Sequence, residues 1–287
     1  MPRSASDPRQ RRTLLLGALA VAACAGLGYY GWTWQRTVPL VDVEVTGAVM
    51  APAVEVEALA ALPQPDPATA DTAAGTEPYV PLFDLDPVLL ADRVRRHPWV
   101  EDAAVRRWPT GTLEVAVTER TPVALAIGAD GRPAFYLDAA GYTMPVSTRP
   151  DDAPAARLAA YDVPLLRGVL PAYRPTLPVD DEPLRALLAT LGALPEADPA
   201  ADALVSELHR DRRGGFTLVT APAAGHGPIE VVLGTGGPSG FGEQLGRLTA
   251  FWAQAVRPQP DRRFERVDLR FRDQIVTHEA DGGPSPS

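Results

Sequence analysis

Residues 92–125 read DRVRRHPWVEDAAVRRWPTGTLEVAVTERTPVAL. They decide the fold, because they spell the end of a helix, a strand, a tight turn and a second strand with almost no ambiguous residue between them. Just upstream, Asp86 is a good N-cap and Pro87 suits the first helical position, where its missing N–H costs nothing. Val88, Leu89, Ala91 and Val94 then read as the apolar face, and Asp92, Arg93, Arg95 and Arg96 as the wet one. His97 precedes Pro98, and a residue before proline is pushed out of the α region, so the helix is expected to stop there. Trp99 is expected to plug the junction of helix and sheet as a core anchor. Val100, Ala103, Val105 and Trp108 open an extended run, and Pro109-Thr110-Gly111 is turn chemistry. Leu113, Val115 and Val117 alternate with Glu114, Ala116 and Thr118, the period of a half-buried strand.

Toward the N-terminus, Leu40 to Gly47 alternates and ends on glycine, which predicts a strand, and Ala53 to Leu62 suits a short helix. Residues 63–78 (PQPDPATADTAAGTEP) have nothing to bury and read as a flexible insertion. Leu82 to Leu85 is expected to form a short strand. The first module, 40–119, is thus strand, helix, insertion, helix, strand, strand. A second module, 120–278, is expected to be α+β and mostly antiparallel, with flanking helices. Its strands are placed at Val123–Ile127, Ala134–Leu137, Leu204–His209, Phe216–Thr220, Ile229–Leu233, Arg266–Phe271 and Gln274–Thr277, and Asp138-Ala139-Ala140-Gly141 reads as a turn leading into Tyr142–Pro145. One helix is expected over Pro183–Leu194. Phe241, Leu245, Leu248, Trp252 and Val256 mark one face of another. Residues 279–287 read as a disordered tail.

Residues 13–34 (TLLLGALAVAACAGLGYYGWTW) carry no charge. As a helix they would be about 33 Å long, enough for a bilayer core of about 30 Å. Arg3, Arg9, Arg11 and Arg12 precede them against Asp7 alone, which places a short tail, 1–12, in the cytoplasm and the bulk of the chain outside. Tyr29, Tyr30, Trp32 and Trp34 suit an interfacial aromatic belt at the far end. A second reading stays open. Val21-Ala22-Ala23-Cys24 resembles the lipobox of a cleaved, lipidated precursor, although the apolar run continues well past Cys24. Ala18, Ala22 and Gly26 make a stripe of small residues, which so alanine-rich a segment produces by chance.

The net charge of −9 argues against a nucleic-acid partner. Every basic side chain other than histidine is arginine, and the single cysteine, Cys24, leaves the exported part without disulfides. No catalytic set is legible. His97, His209, His226 and His278 lie far apart without metal-ligand spacing, so no metal and no cofactor are expected. Gly234-x-Gly236-Gly237 lacks the rest of a dinucleotide fingerprint and reads as a loop. Glu101-Asp102 and Asp151-Asp152 read as solvated surface, as do Arg93, Arg95 and Arg96.

An ordered set of short motifs adds to this reading. It runs Val43–Gly47, Leu82-Phe83-Asp84-Leu85-Asp86, Pro98-Trp99-Val100-Glu101, Arg106-Arg107-Trp108-Pro109, Leu113–Val117 and Glu119-Arg120-Thr121-Pro122-Val123-Ala124. It continues with Leu137-Asp138 and Gly141, Pro164-Leu165-Leu166 and Gly168, Val232-Leu233-Gly234, and Val267-Asp268-Leu269-Arg270-Phe271. In this order they resemble the FtsQ/DivIB family of bacterial cell-division proteins. The resemblance implies a POTRA domain at 40–119 and the family's β domain at 120–278. It implies no enzymatic activity and no small-molecule substrate, but a single-pass inner-membrane scaffold at the division septum. That scaffold binds FtsB/FtsL-type bitopic proteins and other divisome members, and helps control septal peptidoglycan synthesis. It also implies that the last strand takes a partner by strand addition, at positions matching Arg270, Phe271, Asp273, Gln274 and Ile275. Leu269 and Phe271 have another reading, as core residues of that strand. Two departures stand out. Thr235 occupies a place where the family often carries arginine, and the insertion at 63–78 lengthens the first domain. The alternative function is a POTRA-containing envelope lipoprotein, anchored at Cys24 and serving envelope assembly.

Overall fold

The computed structural model describes residues 8–35, 37–60, 81–146, 161–222, 226–236 and 240–279. The expected insertion at 63–78, the residues 280–287 of the tail and the Asp151-Asp152 pair lie outside them. Contacts divide the chain into two units, Met1–Glu119 and Arg120–Ser287.

In the first unit, helix α1 spans Pro8–Gln35 without a break, running past Cys24. Among the described residues, no helix is long and apolar enough to cross a membrane. The side chains at 13–15, counted in the apolar span above, are outside the described ones.

After α1 come β1 (Asp42–Thr46), α2 (Ala53–Leu59), α3 (Pro87–Val94), β2 (Val100–Arg107) and β3 (Thr112–Glu119). The three strands form a sheet in the order β1-β3-β2, with β1 parallel and β2 antiparallel to β3. Leu113, Val115 and Val117 are buried, as their alternation requires, and Trp99 is a core residue. Gly47 ends β1 at φ +79°, and a Cβ there would stand 2.2 Å from the Val117 carbonyl oxygen, so only glycine fits.

Asp86 caps α3 by accepting the N–H groups of Val88 and Leu89. The buried face of α3 is Leu90, Ala91 and Val94, whereas Val88 and Leu89 are exposed. With the helix phased from the Asp86 cap, positions 90, 91 and 94 share one side and 88 and 89 turn outward. Residues 82–85 are a 3₁₀ turn, Leu82–Asp84, and not a strand. The chain touches strand pairing only at the Pro39–Pro81 bridge, and Leu82 and Leu85 then bury together at i, i+3 spacing. His97 does more than mark a helix stop. Its Nδ1 accepts the Trp99 N–H, which leaves Nε2 to donate to Glu55 at 3.2 Å.

The second unit carries β4 (Pro122–Ile127), β5 (Pro133–Asp138), β6 (Thr143–Pro145), β7 (Leu165–Gly168), α4 (Glu182–Ala197) and β8 (Val205–Arg210). It continues with β9 (Phe216–Thr220), β10 (Glu230–Gly234), α5 (Gly240–Phe251), β11 (Phe264–Asp268) and β12 (Val276–Glu279). All nine strands join one mixed sheet in the order β12-β11-β10-β9-β8-β7-β4-β5-β6. Pairing is antiparallel except at β4/β7, β7/β8 and β10/β11. β7 is a strand that alternation alone does not reveal, because it is short and paired in parallel on both sides. The face Phe241, Leu245, Leu248, Trp252 and Val256 is buried throughout, even where α5 passes into a π turn at Trp252–Val256. With the leucines of α4 it forms one core with the sheet. Glu279, assigned above to the tail, belongs to β12 and pairs with Phe264.

Arg120 opens this unit. Its Nη1 donates to Asp138 at 2.7 Å, its guanidinium lies 3.9 Å from the centre of the Tyr142 ring, and Asp138 is buried while the Arg120 side chain is largely covered. The other Asp138 oxygen accepts the Tyr142 N–H.

Candidate functional site

Among the described residues, β12 is one of the two edges of the nine-stranded sheet and pairs only with β11. The segment leading into it, 269–275, holds the five residues singled out above, and it is a turn and not a strand. β11 ends at Asp268 for a local reason. The Leu269 N–H still bonds to Val232 on β10, but the next N–H, that of Arg270, is taken by the Asp268 carboxylate at 3.0 Å. The chain bends over 271–273 and resumes as β12 at Val276.

Burial separates Leu269 from Phe271. Leu269 is fully buried in the core, and Phe271 is 45% exposed. Arg270, Asp273 and Gln274 are exposed too, whereas Ile275 is partly buried and packs against the core. Four of the five residues therefore face solvent on one turn, and the fifth pins that turn down.

Arg270 is held in place. Its Nε and Nη2 donate to Asp268, and its stem packs over Gly234. The Arg270 hydrogen bond keeps the Asp268 carboxyl below the ordinary aspartate pKa, and Asp268 in turn raises that of Arg270. At the far end of β12, the Arg262 guanidinium pairs with Glu279 and lowers its pKa in the same way. The edge is thus framed by two guanidinium–carboxylate pairs.

Two residues that sequence reasoning missed fix the turn from α5. Gln244, buried, donates to the Leu233 carbonyl at 3.1 Å and the Leu269 carbonyl at 3.2 Å, tying the ends of β10 and β11 together. Arg247, about one helical turn on, donates to the Gln274 carbonyl at 2.8 Å. Thr235 is exposed. The polar link between β10 and β11 here is Gln244. The sequence signal was a polar residue among the apolar positions 241, 245 and 248, which by itself says nothing about partners.

Among the described residues, no group of histidine, cysteine or carboxylate side chains is arranged to hold a metal ion. What the geometry offers is a short, open strand edge flanked by an exposed aromatic ring and fixed charges. An edge of this kind presents unpaired N–H and C=O groups to another chain.

Residues 38–120 match the family described as POTRA domain, FtsQ-type, and residues 130–270 match Cell division protein FtsQ/DivIB, C-terminal. The chain is 46% identical over 280 residues to the cell division protein FtsQ of Rhodothermus marinus, covering 97% of this chain and 90% of that protein. It is 40% identical over 260 residues to the FtsQ of Salinibacter ruber, covering 90% of each. Against the FtsQ of a Geobacter species it is 29% identical over 280 residues, covering 94% and 92%.

Proposed function

The chain belongs to the FtsQ/DivIB family of cell-division proteins, and on that premise we propose that it is a membrane-anchored division scaffold that binds its partner along β12. Residues 13–34 anchor it in the inner membrane and the tail 1–12 is cytoplasmic. The POTRA domain, 40–119, and the β domain, 120–278, stand outside the cytoplasm. It carries out no reaction of its own. It recruits FtsB/FtsL-type bitopic proteins and so helps control septal peptidoglycan synthesis.

Exposure along α1 supports the anchor. Leu19, Val21 and Leu27 are each more than 70% exposed, a surface that water does not tolerate and lipid does. The uncharged run continues past Cys24 to Tyr29, Tyr30, Trp32 and Trp34, which favours a retained helix over a lipidated cysteine at a new N-terminus.

The observation that carries the binding reading is the open edge of β12 beside the exposed Phe271 ring. A partner strand adds to β12 through backbone hydrogen bonds, which give affinity. Phe271, Arg270, Asp273, Gln274 and Ile275 supply side-chain contacts, which give selectivity. The full chain, solubilised from membranes, is expected to co-purify with an FtsB/FtsL-type partner, and Phe271→Asp to lose the partner while staying in the membrane fraction. Undiminished co-purification of that variant would overturn the site. Release of the unmodified chain from membranes by a salt wash would overturn the anchor.

A further inference from the structure

We propose that the tip of the β2–β3 hairpin, together with Val41, docks on the phospholipid headgroup surface into which α1 is anchored. This inference rests on the anchored reading above and adds a second membrane contact to it.

Chain length limits how far the first unit can stand from the membrane. α1 ends at Gln35, and both the Thr37 N–H and its hydroxyl still bond to the Trp34 carbonyl. Val38 is already buried in the first unit, with its carbonyl accepting the Leu82 N–H. Three residue steps separate Gln35 from Val38, and at full extension they span no more than about 11 Å. That is little more than the headgroup layer on one side of a bilayer, roughly 5–8 Å. The end of the unit that holds Val38 is therefore kept within reach of the lipid surface.

Strand register says what else lies at that end. β1 runs parallel to β3 with Asp42 opposite Thr112, so the turn that precedes β3 sits beside the start of β1. The Val41 N–H donates to the Gly111 carbonyl at 2.8 Å, and a Cβ on Gly111 would meet the Val41 side chain at 2.8 Å. Val41 is 72% exposed and Trp108 is 48% exposed, and Arg106, Pro109 and Thr110 are exposed beside them. An exposed tryptophan, an aliphatic side chain and an arginine within one turn are the composition of a headgroup contact.

Two carboxylates set the depth. Glu114 accepts the Trp108 indole N–H at 2.9 Å, and Asp42 is exposed at the start of β1. Their charges oppose entry into the hydrocarbon, so the ring lies along the surface and Arg106 is left to meet phosphate. Val49 stands beyond the other end of β1 and is just as exposed, at 73%. The five residues of β1 separate it from Val41 by about 17 Å along the strand, which makes it an internal ruler.

The test uses the full chain in phospholipid vesicles doped with nitroxide lipids, with a fluorophore on single cysteines. Labelled Cys24 in the unsubstituted chain reports the anchor through acyl-chain nitroxides. In a Cys24→Ala background, Thr110→Cys and Val49→Cys report the two ends of the unit through headgroup nitroxides. Quenching is expected at 110 and not at 49, and adding Trp108→Ser to the Thr110→Cys chain is expected to release it. Equal quenching at 110 and 49, or no effect of Trp108→Ser, with Cys24 quenched, would overturn this inference alone. An unquenched Cys24 would overturn the anchored reading and this inference together.

Discussion

Replacing Phe271 with alanine is expected to separate binding from folding. A phenylalanine side chain buries about 150–250 Å² when fully covered. Phe271 leaves 45% of its surface exposed, so roughly 90 Å² remains for a partner to cover. At about 25 cal/mol per Å², covering that area stabilises a complex by about 2 kcal/mol, or about thirty-fold in Kd. On the folding side the ring has a weak hold. The Arg270 guanidinium lies 5.9 Å from its centre, and the turn is fixed by Ile275, Gln244 and Arg247 instead. The stability change is therefore expected to stay within about 0.5 kcal/mol. The assay is a fluorescence-anisotropy titration of the purified full chain with the extracytoplasmic segment of the proposed FtsB/FtsL-type partner, with urea unfolding of the same variant beside it. An unchanged Kd would refute the placement of the contact. A loss of several kcal/mol in unfolding would return Phe271 to the core and refute the reading of its exposure.

Gln244→Leu keeps the volume of the side chain but leaves the Leu233 and Leu269 carbonyls without their donor, which is expected to cost about 3 kcal/mol in urea unfolding and to speed amide exchange across β11 and β12. Asp138→Ala strands the largely covered Arg120 charge and is expected to cost about 3–5 kcal/mol, whereas Arg132→Ala, at a 4.0 Å pair exposed on both sides, is expected to change stability by less than about 0.5 kcal/mol. Asp268 has its pKa lowered in the folded state by Arg270, so its contribution is present above the unfolded aspartate pKa of about 3.9 and disappears as pH falls through the lower folded value. A carboxyl-carbon NMR titration should give Asp268 a midpoint below that of a free aspartate, and Arg270→Gln should return it toward the ordinary value.

Most of the first unit is legible in its sequence because each signal there is local. The Asp86-Pro87 cap, the His97-Pro98 stop and the 113/115/117 alternation each need only neighbouring residues to act, and each does what its chemistry requires. The departures come where tertiary context competes. Leu82 and Leu85 satisfy either a strand or a turn, and their joint burial at i, i+3 spacing goes with the turn, closed by the Leu85 N–H on the Leu82 carbonyl. β7 is hidden because a short strand with parallel neighbours on both sides has no period of its own. At the site, the apolar content of 266–271 suggests a longer strand, but the Asp268 side chain captures the Arg270 N–H and ends it. That single hydrogen bond turns Phe271 outward from a position that pattern alone leaves undecided. The supporting residues Gln244 and Arg247 act through carbonyls on other elements, and such contacts leave no mark in a linear sequence.

The central claim is that a partner strand adds to β12. Amide hydrogen exchange of the full chain, alone and with the proposed FtsB/FtsL-type partner, tests it most directly, because the same sheet carries its own control. β12 at Val276–Glu279 and β6 at Thr143–Pro145 are the two edges of that sheet. Strand addition at β12 requires new protection over 271–279 with β6 unchanged. Protection at β6 or in the first unit, with β12 exchanging as it does alone, would contradict it.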